Sequence, residues 1–246
     1  MPPVISRDST GDPARRSFED VLARLFAEKA GAAVLFVPDI HDLPEDEHIW
    51  HELAQMTDPV LVLAWLYPRP TEWILRRHGV GQAGLVAVDM GAHKSPELCF
   101  EACAMAVAAS TQQKEMAREL TCETVRRWYP VVDYSRCINC KQCMEFCLFG
   151  VYETDAQGTV RAVRPDNCKL GCPACGRVCP RGAIMFPLYE DDDAIAGAPG
   201  QFVTPDEQAT RLFEKRTSRP HRQFRDTDDD LDALIDDLDR LTQKEP

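Results

Sequence analysis

Eight of the eleven cysteines in this 246-residue chain fall between residues 133 and 188, in two runs of four. The first run is Cys137-x2-Cys140-x2-Cys143-x3-Cys147, and the second is Cys168-x3-Cys172-x2-Cys175-x3-Cys179, followed by Pro180. The second repeats the first at an offset of 31 residues for the opening cysteine and 32 for the other three. One residue has therefore entered between its first two cysteines. Three thiolates at this spacing wrap a loop around one face of an iron–sulfur cube. The fourth, on the following turn, points away toward a cube held by the other run. On that pattern one [4Fe–4S] cluster takes Cys137, Cys140, Cys143 and Cys179, and a second takes Cys168, Cys172, Cys175 and Cys147. Zinc is the competing metal, but its four-cysteine sites usually present two Cys-x2-Cys pairs separated by a longer loop. A disulfide framework does not suit a reducing compartment.

Residues 133–188 resemble the bacterial-type ferredoxins that carry two [4Fe–4S] clusters. The resemblance implies a ferredoxin-like α+β fold with two hairpins, around Val151–Val163 and Ala183–Phe186. It also implies one-electron transfer through clusters close enough to exchange electrons. The sequence departs from that pattern twice. Leu148 stands where a proline usually follows the fourth cysteine, and the extra residue in Cys168-x3-Cys172 brings Gly171 for a turn. Neither departure removes a ligand. In the family, each cluster with its four thiolates carries about −2 when oxidised and about −3 when reduced. Lys141, Lys169, Arg177 and Arg181 lie among the ligands, placed to hold that charge or to face an acidic partner.

The charge of the chain divides sharply. Its formal total is −12, with net −6 over residues 1–132, +2 over 133–188 and −8 over 189–246. These shifts place domain boundaries near 132 and 188. The acidic total excludes a general nucleic-acid binder, which needs a basic stripe to displace counterions. The densest apolar stretch, Val60 to Tyr67, has eight residues, against about 20 for a membrane-spanning helix. The polar start carries no secretory signal, so the expected location is cytoplasmic.

The flanks must position this block. Residues 1–16 read as a flexible tail. Ser17 and Asp20 are candidate caps for a helix whose apolar face is Phe18, Val21, Leu22, Leu25 and Phe26, ended by Gly31. Short apolar runs at Ala33–Val37, Val60–Trp65 and Leu85–Asp89 read as buried strands. Asp46–Met56, Thr71–His78 and Ser95–Glu119 read as helices. The alternation predicts a small parallel α/β layer over residues 17–132. Residues 189–246 read as a linker followed by an acidic amphipathic helix, with Leu231, Leu234, Ile235, Leu238 and Leu241 on one face.

Several other features invite function. Gly79-Val-Gly81-Gln-Ala-Gly84 matches a dinucleotide fingerprint literally, but it follows a helix and precedes a strand, so it reads as a turn. His41, His48 and His51 lie among acids, and His48 with Glu52 has the spacing of a helical metal pair. An acidic helix start explains them equally. Cys99, Cys103 and Cys122 read as apolar core, with a redox pair or extra metal site as the alternative. Trp65 to Trp73 follows a strand, where Arg69, Arg76 and Arg77 could receive an anion or an acidic partner.

The leading functional reading is an electron carrier that makes or breaks no substrate bond and relays electrons between redox partners. Two others stand beside it. One is a subunit of an oxidoreductase whose N-terminal domain binds a substrate or cofactor, and the other is a redox sensor with structural clusters.

Overall fold

The computed structural model describes residues 3–104 and 117–200. Its first half alternates strands and helices: β1 (Pro3–Ser6), α1 (Pro13–Ala30), β2 (Val34–Val37), α2 (His48–Ala54), β3 (Val60–Ala64), α3 (Pro68–Arg77), β4 (Leu85–Asp89), α4 (Pro96–Ala104) and β5 (Ala117–Glu119). The five strands form one parallel sheet in the order β4-β3-β1-β2-β5. Successive residues of a strand face opposite sides, and here both sides are apolar. Val4, Val60 and Val62 pack with Ile49 and Leu53 of α2 and with Ile74 and Leu75 of α3. Ile5, Leu61 and Leu63 pack with Leu22 and Phe26 of α1 and with Cys99, Phe100 and Cys103 of α4. Burial on both faces is why these strands read as unbroken apolar runs.

Three expectations for this half are corrected. Residues 1–16 are not a tail, because Pro3–Ser6 is the middle strand of the sheet and is buried along its length. A four-residue strand beginning at a proline has too little pattern to register, and its place is fixed by backbone bonds to β2 and β3. The first helix starts at Pro13 rather than near Ser17: the Asp12 carboxylate accepts the Ala14 N–H at 2.8 Å and caps it. Gly31 closes it in the left-handed conformation, as its position implies. Finally, Ala117–Glu119 is a strand beside β2 and not the end of a helix. Its side chains are exposed, so it is held by the open backbone edge of β2 rather than by any apolar signal.

The second half is built from β6 (Val131–Val132), α5 (Gln142–Phe146), β7 (Tyr152–Thr154), β8 (Val160–Ala162), α6 (Ala174–Val178), β9 (Ile184–Met185) and α7 (Asp193–Ala196). β7 and β8 form the antiparallel hairpin expected over Val151–Val163. The expected hairpin at Ala183–Phe186 is different: β9 pairs antiparallel with β6, some fifty residues upstream, through Val131↔Met185 and Val132↔Ile184. A boundary at 132 would cut that ladder. At the other end, Ile195, Ala196 and Ala198 are buried and the Phe186 N–H donates to the Ile195 carbonyl at 2.8 Å. The chain therefore stays packed beyond 188, where a linker was expected. Gly197 is required there, since its φ is +101° and an added Cβ would lie 2.8 Å from Pro70 Cδ. The linker beyond residue 200 and the acidic helix expected after it lie outside the described residues.

Buried apolar and charged contacts join the halves. Tyr129, Val131 and Met185 complete the same buried group as α2 and α3. The Arg127 guanidinium donates to the Leu43 carbonyl, to Glu45 at 2.9 Å and to both Asp166 oxygens at 2.8 and 3.0 Å. Arg69 donates to the Gly182 carbonyl at 3.1 Å, and Arg77 to the Ala162 carbonyl at 3.0 Å. Removing one member of a fully buried ion pair costs ~3–5 kcal/mol. Here Asp166 is 62 % exposed, which screens its share of the interaction. Arg127→Ala should therefore lower stability by about 2 kcal/mol in denaturant unfolding, and an unchanged midpoint would contradict the clamp.

Candidate metal centre

Each cysteine run is shaped by a few residues between the ligands. Asn139 and Lys141 adopt left-handed backbone conformations, with φ of +57° and +65°. Such residues are sterically costly, and Asn139 is held by its own side chain. Its amide donates to the Gly158 carbonyl at 2.8 Å and accepts the Val160 N–H at 2.9 Å, tying the loop to the β7–β8 hairpin. In the second run Gly171, at φ +75°, makes the turn that the inserted residue requires. Cys143 and Cys175 then lie on the short helices α5 and α6, while Cys147 and Cys179 follow those helices in extended conformations. Their φ/ψ values, −81°/112° and −71°/112°, carry the sequence repeat into the backbone.

The eight sulfurs do not gather by run. One cavity is lined by Cys137, Cys140 and Cys143 from the first run and by Cys179 from the second. The other is lined by Cys168, Cys172 and Cys175 with Cys147. Tyr152 lines both cavities, and it is buried in one apolar core with Val160, Ile184 and Phe186. Burial pushes the Cys143 thiol up to about 12, with Cys179, Cys137 and Cys140 adding to the shift. Burial does the same to Cys168, helped by Cys172 and Cys147, again to about 12. Cys175 also reaches about 12 through burial, opposed by a hydrogen bond from Tyr152 and reinforced by Cys168, Cys143 and Cys147. Such crowded sulfurs become thiolates together only around a positive centre, and that is the chemistry of a ferric–ferrous cluster. Each cavity offers four cysteine sulfurs, the all-thiolate donor set that a [4Fe–4S] cluster takes.

Comparison with known proteins agrees with this chemistry. Residues 129–195 match a family described as the 4Fe-4S dicluster domain. Over 61 residues the chain is 36% identical to pyruvate synthase subunit PorD of Methanocaldococcus jannaschii, covering 25% of this chain and 69% of that one. The chain belongs to the 4Fe-4S dicluster family. It is also 44% identical over 61 residues to an uncharacterized ferredoxin of the same organism, covering 24% of this chain and 41% of the relative. A sulfite dehydrogenase subunit of Allochromatium vinosum is 31% identical over 109 residues, which cover 37% of this chain and 45% of that protein. The chain thus spans less than half the length of two of these three relatives. No solved structure matches it significantly. The dicluster domain makes residues 129–195 an iron–sulfur electron-transfer module, and the parallel sheet lies outside the matched stretch.

The remaining candidates have other partners. Lys141 and Arg181 line the first cavity and Lys169 the second, whereas Arg177 binds the Tyr189 hydroxyl. Arg69 faces Asp133 of its own chain at 3.7 Å, Arg76 pairs with Glu72, and Arg77 with Glu45. His48 pairs with Glu47, while Glu52 pairs with Arg118, so these two do not share a site. His41 is buried against Asp42 and stacked on Tyr129. Cys99 and Cys103 are buried in the core between α1 and α4, and Cys122 packs against the opposite core. The glycines at 79, 81 and 84 form the turn between α3 and β4. No helix among the described residues is long and apolar enough to cross a membrane.

One feature escaped sequence reasoning, and a second was anticipated only through the Trp65–Trp73 segment, without the arginines expected to serve it. Tyr152 lies between the cavities, and its signal was available: the 32-residue offset pairs it with Ile184, so only one copy carries a hydroxyl. The other is a cleft of about 740 Å3 at the C-terminal edge of the sheet, where Asp8, Asp39, Trp65, Tyr67 and Asp89 meet Tyr189 and Asp193 of the dicluster domain. Trp65 is anchored there by donating its indole N–H to Glu19 at 2.8 Å. Burial, with the nearby Asp42 carboxylate, pushes the Asp39 carboxyl up to about 6. A carboxyl raised in the fold costs nothing below its unfolded value near pH 4, and its penalty grows until the folded value is passed. Asp39→Asn should therefore leave stability unchanged below pH 4 and raise it by about 3 kcal/mol above pH 6. Unfolding midpoints measured across that range would contradict the assignment if the two proteins ran parallel.

Proposed function

We propose that this chain relays single electrons through two [4Fe–4S] clusters between redox partners. Cluster one is held by Cys137, Cys140, Cys143 and Cys179, and cluster two by Cys168, Cys172, Cys175 and Cys147. The observation that carries this reading is the interleaved lining of the two cavities, each taking three cysteines from one run and one from the other. When bound, each cluster supplies a one-electron couple. The chain's own part is to fix four sulfurs around each cavity, to exclude water with the apolar residues that pack beside them, and to place Lys141, Arg181 and Lys169 near the negative charge. The two cavities share the Tyr152 ring as a wall, which supports exchange of electrons between them.

The relatives named as pyruvate synthase and sulfite dehydrogenase subunits favour a refinement, in which the chain serves as the electron-transfer component of an oxidoreductase. The cleft at the C-terminal edge of the sheet supports a small-molecule site on the N-terminal layer, since open parallel sheets bind ligands at that edge.

Anaerobic reconstitution of the full chain should give about eight iron and eight acid-labile sulfide per chain. Two zinc without sulfide would overturn the reading. Ligand crossing has its own test. Cys147→Ala should weaken the cluster held by the second run, leaving a single four-iron paramagnetic signal, and Cys172→Ala should remove the same signal. If Cys147→Ala instead spared that signal and removed the one lost in Cys140→Ala, each run would hold its own cluster and the crossed assignment would fall.

A further inference from the structure

The repeat relates the two cavities, and one of its differences gives a single cavity a side-chain hydroxyl at a ligand sulfur. Tyr152 lies five residues after Cys147, and Ile184 lies five residues after Cys179. Both are buried, and both line the first cavity. Tyr152 alone lines the second as well, and its hydroxyl donates to Cys175 Sγ at 3.2 Å. Ile184 has nothing to donate. The ring thus separates the cavities while its polar end is committed to one side.

We propose that Tyr152 sets the two clusters apart in potential by hydrogen-bonding a cluster-two sulfur. The inference rests on the two-cluster reading above and concerns a tuning residue, not a ligand. Reduction adds negative charge to a cluster and spreads it onto the coordinating sulfurs. A donor aimed at such a sulfur stabilises the reduced form more than the oxidised one and so raises the potential. The effect is local, because a hydrogen bond acts on the sulfur it touches. In the first cavity the Ala183 backbone N–H donates to a ligand sulfur, 3.3 Å from Cys179 Sγ. Tyr152→Phe keeps the ring that lines the first cavity and removes only the hydroxyl, which donates to Cys175, so cluster one serves as the internal reference.

The test is a redox titration of the full reconstituted chain, followed by paramagnetic resonance, for the parent protein and for Tyr152→Phe. Iron and sulfide are counted first. A parent chain that fails to take up eight irons would defeat the two-cluster reading itself and not the role of Tyr152. With clusters in place, Tyr152→Phe should lower one midpoint and leave the other unchanged. The reduced-to-oxidised ratio of that cluster at a fixed solution potential should fall about tenfold, or ~59 mV for a one-electron couple. The signal that moves must be the one lost in Cys147→Ala. Movement of both midpoints together, of neither, or of the other signal would overturn the proposal. Should Tyr152→Phe assemble poorly, a second arm decides. Growth on 3-fluorotyrosine, a stronger donor, should raise the same midpoint in the parent chain, and an unchanged midpoint there would also overturn it.

Discussion

Buried sulfurs resist becoming thiolates side by side, and the dicluster domain is organised around that electrostatic constraint. Burial raises the proton affinity of Cys143, Cys168 and Cys175, and neighbouring cysteines add to it, so these sulfurs resist becoming anions without a positive centre. A cluster relieves the repulsion by supplying positive iron, and metal binding of this kind becomes folding free energy. Because the cavities are lined crosswise, α5 and α6 must pack together before either cavity is complete. The left-handed residues Asn139 and Lys141 are the local strain accepted to bring the sulfurs into place, while Gly171 makes its turn without strain.

The same logic reaches into the parallel sheet. The dicluster domain keeps a core of its own around Tyr152, Val160 and Phe186, while Tyr129, Val131 and Met185 are buried against α2 and α3. Three arginines complete the seam, and two of them, Arg69 and Arg77, sit on the helix α3. Arginine suits this role because its planar fork satisfies carbonyls and carboxylates together. Side chains that sequence offered as anion receptors are therefore spent on intramolecular joints. The acidity of the chain, −12 in total, belongs to its flanks, while basic residues remain where cluster charge would sit.

Much of the site was legible because ligand spacing is a local property. Cysteines two or three residues apart on a loop and a following helical turn can reach a common centre whatever surrounds them, so the iron–sulfur character of residues 129–195 needed no coordinates. The sheet was legible for a related reason: strands buried on both faces are apolar throughout, as at Val60–Ala64. Long-range backbone pairing left no such trace. Pro3–Ser6 looked like a tail yet forms the middle strand, and Ala117–Glu119 looked helical yet lies along β2. In both cases the deciding bonds join main-chain groups distant in sequence, and main-chain groups are the same in every residue.

The sequence by itself determined the cofactor chemistry, the internal repeat and the alternation of helices with buried strands, because each depends on residue type at short separation. Only the tertiary structure decided that the halves are fused through α3, that β9 pairs with Val131–Val132, and that the two cavities share one tyrosine whose hydroxyl serves a single side. Those are choices of partner among distant groups. They are settled by packing and by the cost of leaving a buried polar atom unpaired, and nothing in the local pattern records them.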